Sequence, residues 1–98
     1  GTVFIHTDYT VPVEPLRAEL TRLLEGSPLW DKKVNVLQVT DATAETMEIR
    51  ILVSAKNSPT AWDLRVYIRE HMIAFLQQHY PESLPRARVV LEGQRPSE

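Results

Sequence analysis

Hydrophobic and polar residues alternate in two short segments near the middle of the chain, residues 34–39 and 47–53. A polar segment, residues 41–46, separates them. A period of two residues is typical of a β-strand with one buried face. The pattern therefore predicts a β-hairpin, with strands over residues 34–40 and 46–55.

Two segments with a helical period flank this hairpin, residues 13–25 and residues 58–80. Pro15 falls in the first turn of the first helix, where proline is tolerated, and Gly26 is expected to end that helix. In the second helix, Ser58 is the expected N-cap and Pro59 the first helical residue. A strand over residues 2–10 precedes the first helix, and a short strand over residues 87–91 follows the second.

This order of elements predicts an α+β fold of the ferredoxin-like kind, a β-α-β-β-α-β sandwich. A four-stranded antiparallel sheet would carry two helices on one face. The first strand would lie between the fourth and the third, and the second strand would form an edge. The other sheet face would stay uncovered. Phe4, Val36 and Leu52 are the candidates to point there, so we expect them to contact a partner.

Composition limits the function classes. The chain has 98 residues, of which 43% are hydrophobic and 24% charged, as in an ordinary single domain. The net charge of −2 argues against a nucleic-acid partner. The absence of cysteine excludes disulfides and thiolate zinc sites, and fits a cytosolic environment.

The ends of the sequence suggest a piece of a longer protein. Gly1 looks like a cloning remnant, and a strand begins directly after it. We therefore expect residues 1–98 to form one domain cut from a longer chain, with a frayed tail over residues 92–98. No apolar run reaches the roughly 20 residues that a membrane helix needs.

No set of residues predicts an enzyme. No serine lies in a nucleophile-elbow context, and the three glycines form no phosphate-binding loop. The metal-ligand candidates are His6 and Asp8, two residues apart on one strand face, while His71 and His79 are too far apart for a helical zinc pair. We expect no catalytic residue, no bound metal or other cofactor, and no small-molecule substrate.

Trp30 and Trp62 are further candidates for an interface, because tryptophan is enriched in interface hot spots. Trp30 comes just before the second strand, and Trp62 lies in the first turn of the second helix. In the alternative interpretation, each ring closes one end of the core. The C-terminal third is locally basic, which indicates either a solvated surface or a subunit contact; its arginines are Arg65, Arg69, Arg86, Arg88 and Arg95.

Several stretches also resemble a known family. They are SPLWDKKVNVLQVTDAT from Ser27 to Thr43, the strand residues from Met47 to Ile51, and Ala61-Trp62-Asp63-Leu64-Arg65. The end of the second helix, FLQQHYP from Phe75, is a further similar stretch. Together they resemble the C-terminal cytoplasmic domain of small-conductance (MscS-like) mechanosensitive ion channels.

The resemblance implies a non-enzymatic domain that helps to assemble the subunits and to shape a cytoplasmic vestibule. The parent would be a homo-oligomer of seven subunits in the cell (inner) membrane, with this domain on the cytoplasmic side, and it would release ions and osmolytes under membrane tension. No ligand or catalytic residue is implied. The outer edge of the second strand, residues 33–40, and the loop over residues 41–46 are expected beside a neighbour.

Two alternatives belong to other classes. The first is a ferredoxin-like ligand- or metal-binding regulatory domain, such as the cytosolic domain of a cation-efflux transporter, with His6, Asp8, His71 and His79 as ligands. The second is a small hydrolase of the acylphosphatase kind. That enzyme would need an arginine in an anion-binding loop after the first strand, where this chain has Tyr9-Thr10-Val11-Pro12.

Overall fold

The computed structural model describes residues 1–8, 10–43 and 45–83. Their elements follow the order β1 (Thr2–Thr7), α1 (Val13–Glu25), β2 (Asn35–Ala42), β3 (Met47–Val53) and α2 (Ser58–His79). A 3-10 turn, Pro81–Ser83, follows α2. The predicted strand over residues 87–91 and the predicted tail over residues 92–98 lie outside the described residues.

The sheet is antiparallel and has the order β1-β3-β2. Its hairpin closes between Thr43 and Thr46: the Thr43 N–H donates to the Thr46 carbonyl at 2.7 Å, and the Thr46 N–H donates to Thr43 Oγ1 at 3.0 Å. The register of β2 against β3 shifts between Val39 and Asp41, which marks a β-bulge. The predicted hairpin is confirmed, and among the described strands β2 lies at an edge of the sheet.

The predicted four-stranded, ferredoxin-like sandwich is wrong. Within the described residues the sheet has three strands, although the α+β class is confirmed. In the same residues β1 pairs only with β3, whereas the predicted order placed β1 between two strands. The prediction assumed that the second half of the chain repeats the strand-helix-strand order of the first half. After α2 the described chain instead ends in the turn at Pro81–Ser83, where the Ser83 carbonyl accepts the Asp8 N–H at 2.6 Å.

The two helices begin and end at residues that suit those positions. Gly26 is the C-cap of α1, and its N–H donates to the Arg22 carbonyl at 3.2 Å. The N-cap of α2 is Asn57, not the predicted Ser58: Asn57 Oδ1 accepts the Thr60 N–H at 2.9 Å. Both residue types cap helices well, so the local sequence favours neither.

Both helices pack on the same face of the sheet. Along β3 every second side chain is buried, and these side chains join one core with the leucines of α1 and the apolar stripe of α2. The members from the helices are Leu16, Leu20, Leu23, Leu24, Leu64, Ile68, Met72 and Leu76. Within the described ranges, neither helix combines the length and hydropathy that a membrane crossing requires.

Candidate interaction surface

The sheet face that the helices leave uncovered, here called the open face, carries three cross-strand rows of side chains. One row contains Thr2, Leu52 and Val36. The next contains Phe4, Arg50 and Gln38. The last brings together His6, Glu48 and Asp41, where β2 begins to bulge.

The three apolar candidates from the sequence therefore lie on one face, as predicted. Phe4 is 50% exposed, an unusual value for a side chain in the middle of a strand. Val36 and Leu52 are half-buried, and each is opposite the other in the β2–β3 register. A ring beside two aliphatic side chains forms a small apolar patch on an otherwise polar face.

Arg50 lies at the centre of this face and has no carboxylate partner among the described residues. One of its terminal nitrogens, Nη2, donates to Gln38 Oε1 at 2.6 Å. Its Nε is buried and has no recorded hydrogen-bond partner. A buried donor of this kind costs free energy within the chain, because a nitrogen that is closed to solvent cannot be reached by an acceptor from outside.

The polar side chains at one end of the open face make hydrogen bonds with one another. His6 Nε2 lies 3.1 Å from Glu48 Oε2, and the Thr40 hydroxyl donates to Glu48 Oε1 at 2.9 Å. Glu48 is thus held between the two outer strands of the described sheet. This arrangement fixes side chains across β3, beside an open depression that Asp41 and Thr46 also line.

Asp8 lies outside the strand that carries His6, whereas the sequence placed both residues on one strand face. The strand β1 ends at Thr7, and Asp8 instead closes a turn in which its Oδ1 accepts the Thr10 N–H at 2.7 Å. The hydrogen bonds from Thr10 hold the pKa of Asp8 below its ordinary value. His6 therefore contacts Glu48 across the sheet, whereas Asp8 stabilises the turn that follows β1.

The other two proposed metal ligands lie on the far side of the sheet. His71 Nδ1 is 2.8 Å from the Tyr67 carbonyl, and the His79 ring is 4.5 Å from the Phe75 ring, both on α2. Because α2 covers one sheet face and His6 lies on the other, these imidazoles do not converge. Across the described part of the chain, no three His, Cys, Asp or Glu side chains are placed to hold a metal ion.

The two tryptophans have different surroundings. Trp30 packs against the core, and its Nε1 donates to the Val34 carbonyl at 3.0 Å, which closes the connector before β2. Trp62 is 60% exposed, and the Arg65 guanidinium carbon lies 4.6 Å from its ring centroid. Trp30 is therefore a structural residue, whereas Trp62 is available on the surface as a cation–π pair.

A polar network that the sequence did not indicate fixes the entry to β2. Ser54 Oγ accepts the Val34 N–H at 2.8 Å and donates to Asp31 Oδ1. The Ser54 hydroxyl is the main cause that lowers the pKa of Asp31. Lys32 follows with a left-handed backbone (φ 68°), which turns the chain towards the strand.

The described residues form a small α+β domain in which the helices cover one sheet face and leave the other open. No family model matches the chain, and neither does any curated protein or solved structure.

Proposed function

We propose that this chain is a non-catalytic contact module that presents its open sheet face to a neighbouring subunit. The observation that carries the proposal is the apolar patch of Phe4, Val36 and Leu52. Such a patch suits a partner that brings an apolar side chain.

The wider setting of this proposal is a mechanosensitive channel of the small-conductance kind. Only the sequence resemblance over the stretches from Ser27 to Pro81 supports it. In that setting the neighbour is another copy in a ring of seven, and the module lines a cytoplasmic vestibule below the membrane. Its work is assembly, and the ion pathway and tension sensor belong to other parts of the protein.

Thiol accessibility tests the contact proposal, because the chain has no cysteine of its own. Phe4→Cys places one thiol on the open face, and Glu70→Cys places a control thiol on the exposed side of α2. Maleimide labelling of each site is compared between the isolated chain and the full-length protein in its native membrane or cytosolic fraction, with quantification by mass spectrometry. Strong protection at residue 4 and little at residue 70 is expected; equal labelling of residue 4 in both samples contradicts the proposal.

Electrophysiology tests the channel setting separately. Membrane patches that contain the full-length protein are expected to show currents when suction is applied, and patches without the protein are the control. If the currents are absent while the protein is present in the patch membrane, the channel setting is wrong. The contact proposal would then stand or fall on the labelling result alone.

A further inference from the structure

Arg50 places a positive charge at the centre of the open face, and the surrounding side chains hold its guanidinium in place. Its cross-strand row has Phe4 of β1 on one side and Gln38 of β2 on the other. Gln38 Oε1 accepts a hydrogen bond from Arg50 Nη2 at 2.6 Å, and the Nε end of the guanidinium is buried. A side chain held in this way loses less conformational freedom when a partner binds than a mobile surface arginine does.

The terminal nitrogens of Arg50 keep donors for a partner. A guanidinium carries one N–H on Nε and two on each of Nη1 and Nη2. Gln38 accepts one of the two from Nη2. Within the described residues Nη1 has no acceptor and, unlike Nε, is not closed to solvent. Donors on Nη1 and Nη2 together match the two oxygens of a carboxylate.

The acidic side chains of the open face are engaged elsewhere. Glu48 lies two residues before Arg50 on the same strand face. Its Oε2 lies 3.1 Å from His6 Nε2, and its Oε1 accepts the Thr40 hydroxyl at 2.9 Å. Asp41 lies opposite Glu48, and its Oδ1 accepts a backbone N–H at 2.8 Å. Within the described residues neither carboxylate forms an ion pair with Arg50, so its charge has no close opposite charge.

We propose that the neighbouring subunit brings an aspartate or glutamate carboxylate to Arg50, next to an apolar side chain that covers Phe4. The inference rests on the proposed function, since it names what the partner of the open face carries at the centre of the contact.

The cost of removing water from the guanidinium supports this choice of partner. A docking surface without an acceptor would cover the charge of Arg50 and leave it uncompensated, which is costly. A carboxylate compensates the charge and accepts from Nη1 and Nη2 together. The apolar patch thus supplies contact area, and Arg50 selects which surface can dock.

Dissociation of the full-length assembly tests the pairing. Mass photometry over a dilution series gives the concentration at which half of the assembly has dissociated, for the unchanged protein, Arg50→Met and Arg50→Glu. Arg69→Met and Arg69→Glu are the matched controls, because Arg69 is an exposed arginine of α2, on the other side of the sheet. Phe4→Ser reports the apolar contact on which the proposed function rests.

The two substitutions of Arg50 should have graded effects. Arg50→Met should raise the half-dissociation concentration about tenfold, and Arg50→Glu, which brings like charges together, about a hundredfold. Either substitution of Arg69 should leave it within about threefold. The isolated Arg50→Met chain should still fold, as measured by circular dichroism, because the change removes a buried donor that has no partner.

Salt provides a readout that a purely structural role of Arg50 would not change. Sodium chloride raised from about 0.05 M to about 0.5 M should weaken the unchanged assembly more than the Arg50→Met assembly, since salt screens the charge pair that only the unchanged protein contains.

Carbodiimide crosslinking identifies the carboxylate. Arg50→Lys places a primary amine at the same position, and a carbodiimide joins an amine to a carboxylate only when the two are in contact. In the full-length protein we expect a crosslink from residue 50 to an aspartate or glutamate of another subunit, located by mass spectrometry of the peptides. Arg69→Lys should give no crosslink between subunits from residue 69.

Three results would overturn the pairing and leave the proposed function intact. In the first, Phe4→Ser dissociates the assembly but Arg50→Met and Arg50→Glu do not. In the second, Phe4→Ser dissociates the assembly but Arg50→Lys gives no crosslink between subunits from residue 50. In the third, Arg69→Glu weakens the assembly as much as Arg50→Glu, which indicates an effect of net charge. If neither Phe4→Ser nor any substitution of Arg50 changes the assembly, the proposed function fails together with the pairing.

Discussion

The two faces of the sheet differ in what holds their side chains. On the covered face, Ile49 and Ile51 of β3 are 1% and 0% exposed and pack into the core between the helices. On the open face, their neighbours Arg50 and Leu52 remain half-buried, and Phe4 is half exposed. The same strand therefore serves the fold on one side and is free for contact on the other.

This difference separates stability from function. Burial of an aliphatic side chain contributes about 1.5–3 kcal/mol, so substitutions on the covered face should mainly affect unfolding. Substitutions on the open face should mainly affect contacts with a partner.

The largest effect is expected for Ile51→Ala compared with Leu52→Ala, at adjacent residues of β3. Removal of the fully buried Ile51 side chain leaves a cavity and should cost about 3–4 kcal/mol, a large part of the stability of a small domain. Leu52→Ala should cost less than about 1 kcal/mol, since that side chain is partly solvated already. Urea unfolding followed by circular dichroism measures both, and similar losses would contradict the distinction between the faces.

The helix cap of α2 supports the covered face from outside the sheet. Asn57→Ala removes the acceptor for the Thr60 N–H and should cost about 1 kcal/mol in the free energy of unfolding. Ser58→Ala is the matched control and should change it by less than about 0.5 kcal/mol, because Asn57 makes the cap. A greater loss of stability in Ser58→Ala than in Asn57→Ala would show that Ser58 is the N-cap, as the sequence predicted.

One polar group on the covered face is expected to reduce stability. Thr7 is completely buried in β1, and its Oγ1 has no recorded hydrogen-bond partner. Thr7→Val keeps the shape and removes the unsatisfied hydroxyl, so it should raise the free energy of unfolding by about 1 kcal/mol. Thr2→Val, on the open face of the same strand, should change it by less than about 0.5 kcal/mol. Destabilisation by Thr7→Val would show that the hydroxyl has a partner.

A smaller effect should depend on pH. On α1 a hydrogen bond from Arg22 lowers the pKa of Glu19, partly opposed by burial. Because the folded-state pKa lies below the unfolded one, the stabilisation is complete above the ordinary glutamate pKa and is lost as the pH falls through the lowered value. Glu19→Gln should therefore be less stable than the unchanged chain at neutral pH and equally stable in strong acid. Arg22→Met should remove the same pH-dependent contribution to the free energy of unfolding. A stability difference between Glu19→Gln and the unchanged chain that does not vary with pH would exclude the Glu19–Arg22 pair as its source.

Much of the fold could be predicted from the sequence because local periodicity determines it. The alternation along β3 and the leucine spacing of α1 predict both elements and their buried sides, and the hairpin follows from them. The error in the sheet had a physical origin as well. The prediction of a fourth strand over residues 87–91, which lie outside the described residues, rested on local composition and on the symmetry of the element order, and neither establishes pairing in a sheet.

The candidate surface was predictable only in part. Phe4, Val36 and Leu52 share a face because alternation fixes the side of a strand on which each residue lies. The contact from Arg17 to the Leu37 carbonyl joins residues 20 positions apart, and only the docking of α1 creates it. The link between Asp31 and Ser54 is likewise tertiary, so no local pattern could indicate it.

We expect the open face to be needed for contact with a partner and not for folding. The most direct test combines Phe4→Ser, Val36→Thr and Leu52→Thr in the full-length protein and measures its assembly size by native mass spectrometry, with unfolding of the isolated chain measured in parallel. The account predicts a folded chain that loses at most about 2 kcal/mol, since these side chains are partly solvated, together with dissociation of the assembly. An intact assembly, or a chain that no longer folds, would contradict it.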